Sequence, residues 1–417
     1  MSLLPRHITQ HAADILDHFP VTVVQGARQV GKSTLASVLS ASREALTLTL
    51  DDPQQRAAVD ADPAAFVNQN PDGLMVIDEV QLRPELLRVI KASVDHHRRP
   101  GRFLLTGSAD TLRLGGDTDS LAGRAATVRL RGLSQGELLG QRDDLVSRMV
   151  SASGPPRLRS TWTRSDYITA MARGGFPEVG VMPERLRGTW LDSYLQRILE
   201  RDAVNLPGGS SPARMRSVAR LLAANQSGEL VKARVAQDAG IPAQSITAYL
   251  DGLTGVFLID LLQPWTPNLT RREVGRPKAL VSDSALALRL GGQRPSSLEP
   301  LTADVIGGFL EGFVVAELLK QQQWSEEEFD LFHYRDRNGI EVDIVIELGD
   351  GRVLGIEVKS SSTVKGEHFK GLQFLQEKLG DRFVGGVVMN TAAESFQYAR
   401  GLWGLPISAL WEGTAAD

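Results

Sequence analysis

"VTVVQGARQVGKSTLASVLS", residues 21–40, decides how the first third of this chain folds. Its β-branched opening is a strand pattern, and "KSTLASVLS" has the apolar spacing of a helix. Between them, residues 26–33 match G-x-x-x-x-G-K-[ST], with Gly26, Gly31, Lys32 and Ser33 at the fixed positions. The glycines let consecutive backbone N–H groups curl around phosphate oxygens, while the following helix directs its positive end at them. In this pattern Lys32 neutralises β- and γ-phosphate charge and the Ser33 hydroxyl ligates Mg²⁺. Ala27, Arg28, Gln29 and Val30 complete the cradle, and Thr34 follows on the helix. A chance glycine-rich turn would match the spacing without the strand before and the helix after, and both are present here.

Working outward, "ALTLTLDD" (45–52), "GLMVIDEV" (73–80), "RFLLTGS" (102–108) and "RAATVRLRGLS" (124–134) are further short apolar runs separated by helical patterns. Such alternation predicts an α/β domain with a parallel sheet and helices on both faces. The run at 73–80 ends in Asp78 and Glu79. Downstream of a phosphate loop, these offer one carboxylate for the magnesium shell and one base to orient the attacking water. The sequence contains no N-K-x-D stretch of the kind that reads guanine, which favours ATP over GTP. Thr106 and Ser108 close the 102–108 run, where they would sense the γ-phosphate or simply form a turn. Arg124 suits an arginine finger acting on a neighbouring subunit's nucleotide, or an ordinary surface arginine.

A chain of 417 residues exceeds what one hydrophobic core supports, so two or three domains are expected. A net charge of −4 argues against a uniformly basic coat for nucleic acid, although 46 Lys and Arg can still cluster locally. With no cysteine, disulfides, thiolate zinc sites and cysteine nucleophiles are excluded. No apolar run approaches the ~20 residues that span a bilayer. "MSLLPRHITQHAADILDHF" sets charges where a signal peptide needs an apolar stretch, so a cytoplasmic location is expected.

The pattern divides the chain into 1–140 (ATPase type), a linker at 141–165, a mainly helical segment at 166–300 and a last section at 301–417. The linker carries a Gly-Pro-Pro break and no sustained period. "VKARVAQDAGIPAQSITAYLDGLTGVFLIDLLQPW" reads as helix, tight turn, helix and strand, which suits a helix-turn-helix with a β-wing. Its second helix offers only Gln244, Ser245 and Thr247 as base readers. Arginines and a lysine nearby (Arg214, Arg216, Arg220; Arg271, Arg272, Arg276, Lys278) suit phosphate contact without sequence reading, or a solvated or protein-docking surface.

"VTVVQGARQVGKSTL", "LMVIDEVQLRPELL", "RFLLTGSA" and "DSLAGRAATVRLRGLSQGE" resemble the AAA-family ATPases of bacteria and archaea that carry a conserved C-terminal region. "RGGFPEV", "YLQRILERDA", "RPKALVSDSALALRL", "GFLEGFVVAELL", "YRDRNGIEVDIVI" and "IEVKSS" resemble that region in order, so the likeness spans nearly the whole chain. It implies an AAA-type ATPase core, a winged-helix-like middle and an end similar to the restriction-endonuclease fold. It also implies a homo-oligomer, such as a hexamer-type ring completed by Arg124, with DNA or protein as partner and ATP with Mg²⁺ as cofactor.

Within that resemblance "EVDIVIELGDGRVLGIEVKSS" (341–361) acquires a reading. In PD-(D/E)xK nucleases an acid on one strand and E-x-K on the next converge on Mg²⁺ or Mn²⁺, and here Asp343, Glu357 and Lys359 match. Glu311 resembles an extra helical acid of that superfamily. Alternation places Glu357 and Lys359 on one strand face, and a turn at "GDGR" lets the two strands pair antiparallel. Such a site would cleave phosphodiesters through metal-activated water oriented by Lys359. The same alternation would describe the solvated face of an amphipathic sheet, and the fold can also serve as a scaffold that binds DNA or protein without cutting.

Overall fold

The computed structural model describes residues 4–109, 121–151, 155, 157–202, 211–267, 272 and 275–413. Five short strands, β1 (Val21–Gln25), β2 (Ala45–Thr49), β3 (Leu74–Asp78), β4 (Phe103–Gly107) and β5 (Ala125–Arg129), form one sheet in the order β2-β3-β4-β1-β5. Every pairing in it is parallel. Period-2 alternation sends Val24, Val76, Leu104 and Val128 into one core. Val21, Val23, Met75, Ile77, Phe103 and Leu105 go into another on the opposite face, as a sheet covered on both sides requires. β2 is less buried than its apolar run suggests, because it is an edge strand with a neighbour on one side only.

A second sheet of eight strands gathers the rest of the chain: β6 (Ile259–Pro264), β7 (Lys278–Val281), β8 (Phe329–Arg335), β9 (Glu341–Leu348), β10 (Val353–Val358), β11 (Phe383–Asn390), β12 (Phe396–Ala399) and β13 (Leu402–Pro406). Its order is β12-β13-β11-β10-β9-β8-β6-β7. β8, β9 and β10 pair antiparallel, and β10, β11 and β13 pair parallel. The β6–β7 hairpin, expected as a wing of the middle segment, pairs through β6 with β8 and so extends the C-terminal sheet. Helices cover this sheet, among them Ile306–Gln321 and Lys370–Leu379, which bury their apolar faces against it.

Residues 141–165, expected as a linker, hold the helix Leu145–Ser151, which packs Leu145, Val146 and Met149 into the main core. Seven residues are too few to show a helical period in sequence. The Arg148 guanidinium donates to the Glu412 and Ala409 carbonyls at 2.6 and 2.7 Å, and Leu145 N–H donates to Gln321 Oε1 at 2.9 Å. A buried pair also ties the helix Ile306–Gln321 to the segment after β5. Lys320 Nζ donates to Glu317 at 2.6 Å and to the Leu133 carbonyl at 3.0 Å, while Glu317 accepts from Gln135 N–H at 2.8 Å. Among the described residues, no helix is long and apolar enough to cross a membrane.

Candidate functional site

The phosphate loop is shaped by close approach and by left-handed backbone. A Cβ on Gly26 would lie 2.0 Å from the Leu130 carbonyl oxygen, so only glycine lets the loop leave β1 beside β5. Gly31 (φ 99°) caps the helix Lys32–Ser40 from the left-handed region, and Gln29 shares that region at φ 62°. Lys32 Nζ donates to the Ala27 carbonyl at 2.9 Å, bridging the loop it would share with phosphate. Arg6, which the sequence reading passed over, props the loop from outside by donating to the Val30 carbonyl at 2.9 Å and to Glu137 at 2.9 Å.

At the ends of β3 and β4 the expected polar groups meet. Ser33 Oγ lies 3.0 and 3.2 Å from the Asp78 carboxylate oxygens, and Thr106 Oγ1 donates to Asp78. Glu79 adopts φ 58°, unusual for a residue with a side chain, and accepts from Ser108 Oγ at 3.1 Å. Gln81 Nε2 donates both to Glu79 and, at 3.0 Å, to Ser108 Oγ. The spacing of the apolar run pointed to Asp78, Glu79, Thr106 and Ser108, but nothing in it marked Gln81.

Beside this cluster opens a cavity of about 1380 Å³, walled by the loop on one side and the helix Glu184–Arg197 on the other. Arg28, Thr34, Trp190, Tyr194 and Arg197 line it together with Lys32. The Trp190 and Tyr194 rings are stacked at 5.2 Å with an 11° interplanar angle. These rings give that side of the cavity an aromatic wall. It comes from a segment whose sequence carries no motif, so sequence reasoning missed it. Arg124 is not brought to this cavity. It precedes β5 at the end of the sheet opposite the loop, where it chelates Asp95 at 2.5 and 3.0 Å.

At the C-terminal sheet Asp343, Glu357 and Lys359 converge, with Glu311 of the helix Ile306–Gln321 joined to them through Lys278; Asp343 and Glu357 are buried, whereas Glu311 and Lys359 are half-buried. Lys359 Nζ lies 2.7 Å from Glu357 and 3.6 Å from Asp343, while Asp343 Oδ2 accepts from Val358 N–H at 2.9 Å. Burial, then the Asp343 charge, pushes the Glu357 carboxyl up. The same two causes push Glu311 up to about 8.

Two cations expected on a DNA-facing wing are committed inside the protein. Lys278 contacts Glu311 at 2.7 Å, and Arg272 holds Glu347 at 2.5 and 2.9 Å. Arg276, Arg214 and Arg220 are exposed, Arg216 pairs with Glu200 at 3.3 Å, and Arg271 lies outside the described residues. Gln244 and Thr247 are exposed at the start of the helix Ile246–Gly255, with Ser245 half-buried beside them.

Comparison with known proteins places the chain among relatives. Residues 18–139 match the AAA domain family, 164–297 a domain of unknown function (DUF8612) and 306–410 another domain of unknown function (DUF4143). The uncharacterized protein Rv2008c of Mycobacterium tuberculosis is 31% identical over 350 residues, covering 84% of this chain and 72% of that protein. Uncharacterized protein Mb2031c of Mycobacterium bovis matches to the same extent. The chain belongs to the family of these mycobacterial proteins. Among solved structures it is similar to the Walker-type ATPase PABY2304 of Pyrococcus abyssi, at 14% identity, 69% of this chain, 96% of that one and a TM-score of 0.44. The RuvB Holliday junction branch migration motor of Thermotoga maritima shows 17% identity, 65% and 88% coverage and a TM-score of 0.28. The AAA match coincides with the segment that builds the phosphate loop, and this family member is an ATPase of the AAA type.

The N-terminal residues fit the magnesium that such ATPases use. Ser33 Oγ and the Asp78 carboxylate offer adjacent hard oxygen donors that would hold Mg²⁺, and the ion would supply charge neutralisation for the phosphates. Burial pushes the Lys32 ammonium down to about 8, against the raising effect of Glu79 and Asp78. Bound phosphates favour the charged form, so they raise this value again. Binding of ATP near pH 8.5 is therefore expected to take up a fraction of a proton, and affinity to fall as pH rises above about 8. Calorimetry in buffers of different ionisation enthalpy reads this directly. No uptake at pH 8.5 in excess of that at pH 6.5 would mean that Lys32 is already charged there before nucleotide binds.

Proposed function

We propose that this ATPase couples nucleotide turnover to a C-terminal nuclease-like module that engages nucleic acid. The observation that carries the coupling is the buried Asp260 carboxylate, gripped by Arg129 at 2.6 Å and by Arg131 at 2.7 and 3.0 Å. Arg129 ends β5 in register with Gln25, the residue before the phosphate loop, whereas Asp260 lies on β6 of the eight-stranded sheet. A change in the loop on loss of the γ-phosphate thus has a contiguous route to the second sheet, through the β1–β5 pairing and then the ion pairs to Asp260.

The nuclease-like reading is supported by the order helix, three antiparallel strands, helix, strand, and by the convergence of Asp343, Glu357 and Lys359. Exposed Arg214, Arg220 and Arg276 suit phosphate contact without base reading. Arg124, remote from its own loop, would reach a nucleotide only in a neighbouring copy, so the working form on this reading is a homo-oligomer. A second reading, a regulatory scaffold that binds without cutting, is favoured by the use of Lys278 and Arg272 as internal partners.

The test is ATP hydrolysis by the full chain with and without duplex DNA. Stimulation that declines with salt is expected. Mg²⁺- or Mn²⁺-dependent cleavage lost in Asp343→Ala would support cutting, and stimulation without cleavage would support the scaffold. Indifference to nucleic acid would overturn both in favour of a remodeller of protein partners.

A further inference from the structure

We propose that the Lys278 side chain fills the position at which the nuclease-like fold would hold a divalent cation, so that the C-terminal carboxylates bind no metal. The inference rests on the nuclease-like reading of that module given above. It begins with placement: Lys278 opens β7, the outermost strand of the eight-stranded sheet, opposite Leu262 of β6. From there its side chain, 3% exposed, runs inward to the acids.

Its ammonium lies 2.7 Å from Glu311, 3.4 Å from Glu341 and 3.8 Å from Asp343. Lys359 takes Glu357 at 2.7 Å and the other side of Asp343 at 3.6 Å, and Arg335 reaches Glu341 at 3.4 Å. Every one of the four carboxylates therefore already has a cation, and one oxygen of Asp343 is further bound to the Val358 N–H.

A divalent ion would need several of these oxygens drawn in to about 2.0–2.6 Å, around a centre next to a buried ammonium that repels it. An ammonium instead satisfies its acids at ordinary hydrogen-bond and ion-pair distances, and a buried charge is retained only with such partners. Among the described residues, no group of three or more histidine, aspartate or glutamate side chains is spaced to hold a metal ion. The outcome is a lysine-neutralised acidic pocket, in which the fold is kept and the cofactor is replaced by a side chain from a neighbouring hairpin.

The experiment titrates Mn²⁺ into the nucleotide-free full chain and reads free Mn²⁺ by electron paramagnetic resonance. Wild type is expected to show no binding that Asp343→Asn removes. Lys278→Ala is expected to gain one site, at least about tenfold tighter than any in wild type, which is about 1.4 kcal/mol. That site should vanish when Asp343→Asn is added. Should Lys278→Ala fail to fold, Lys278→Gln keeps most of the stem and a donor for Glu311, and it is expected to gain a weaker site of the same kind. One Mn²⁺ per wild-type chain lost in Asp343→Asn, with or without an ATP analogue, would overturn the proposal. So would a folded Lys278 variant that gains no site. Neither readout involves DNA, so a failure of nucleic-acid coupling remains distinguishable from a failure of this inference.

Discussion

Lys32→Ala is expected to lower affinity for Mg-ATP by on the order of 100-fold or more, with the fold intact by circular dichroism. The size follows from removing a buried cation that, with nucleotide bound, makes charge-assisted contacts to two phosphates. In this structure that cation donates to the Ala27 carbonyl at 2.9 Å. Glu79→Gln should separate binding from chemistry. The carboxylate sits at the end of β3, beside the phosphate loop, held by Ser108 and Gln81, and an amide keeps its shape while abolishing its basicity. Affinity should stay within about threefold, while turnover falls by about 10²–10⁴, the usual worth of a general base. Equilibrium binding and single-turnover hydrolysis on the same preparations check both. Normal turnover in the two variants would defeat the roles assigned to Lys32 and Glu79.

The second large effect is on stability. Asp260→Ala should destabilise the chain by about 3–5 kcal/mol, because it leaves the Arg129 and Arg131 guanidiniums partly desolvated without their carboxylate. Burial alone would raise the Asp260 carboxyl, but the two arginines overcome it and hold the group down at about 2. A depressed carboxylate contributes stability that is complete above its ordinary value near 3.9 and fades as pH falls toward 2. Thermal melts of wild type and Asp260→Ala should therefore differ most above pH 4 and converge between pH 4 and 2. A gap that stays constant through that window would mean the carboxylate charge is not what joins the two sheets. Because Asp260 also carries the proposed coupling, any folded fraction of the variant should hydrolyse ATP without responding to DNA.

How much of this was legible in the sequence depends on the distance over which each feature is specified. The phosphate loop was readable residue by residue, since Gly26, Gly31, Lys32 and Ser33 act through local backbone geometry and an adjacent helix. The five strands were readable because burial on both faces leaves short continuous apolar runs, with β2 the exception that its edge position explains. The acids at 341–359 were visible as an alternating pattern, but alternation alone could not say whether that face met water or a core. The burial of Asp343 and Glu357 depends on the helix Ile306–Gln321 packed on the sheet and on the β6–β7 hairpin that extends it and supplies Lys278.

Lys278 shows the limit most plainly. In sequence it belongs to a basic stretch that suits a wing, and only the pairing of β6 with β8 turns it toward Glu311 and Asp343. Trp190 and Tyr194 were hidden for a related reason: an aromatic pair lining a cavity has no spacing rule, only a place beside the phosphate loop. The helix Leu145–Ser151 was too short to announce itself, and what holds it is contact with residues far along the chain.

The central claim is that the N-terminal loop grips a triphosphate through its backbone and one lysine, and calorimetric titration of a non-hydrolysable ATP analogue with Mg²⁺ tests it most directly. The expected result is saturation at a single nucleotide per wild-type chain and binding weakened by on the order of 100-fold or more in Lys32→Ala under the same conditions. A wild-type chain that takes up no nucleotide at ~1 mM, the upper end of ordinary enzyme working concentrations, would contradict it.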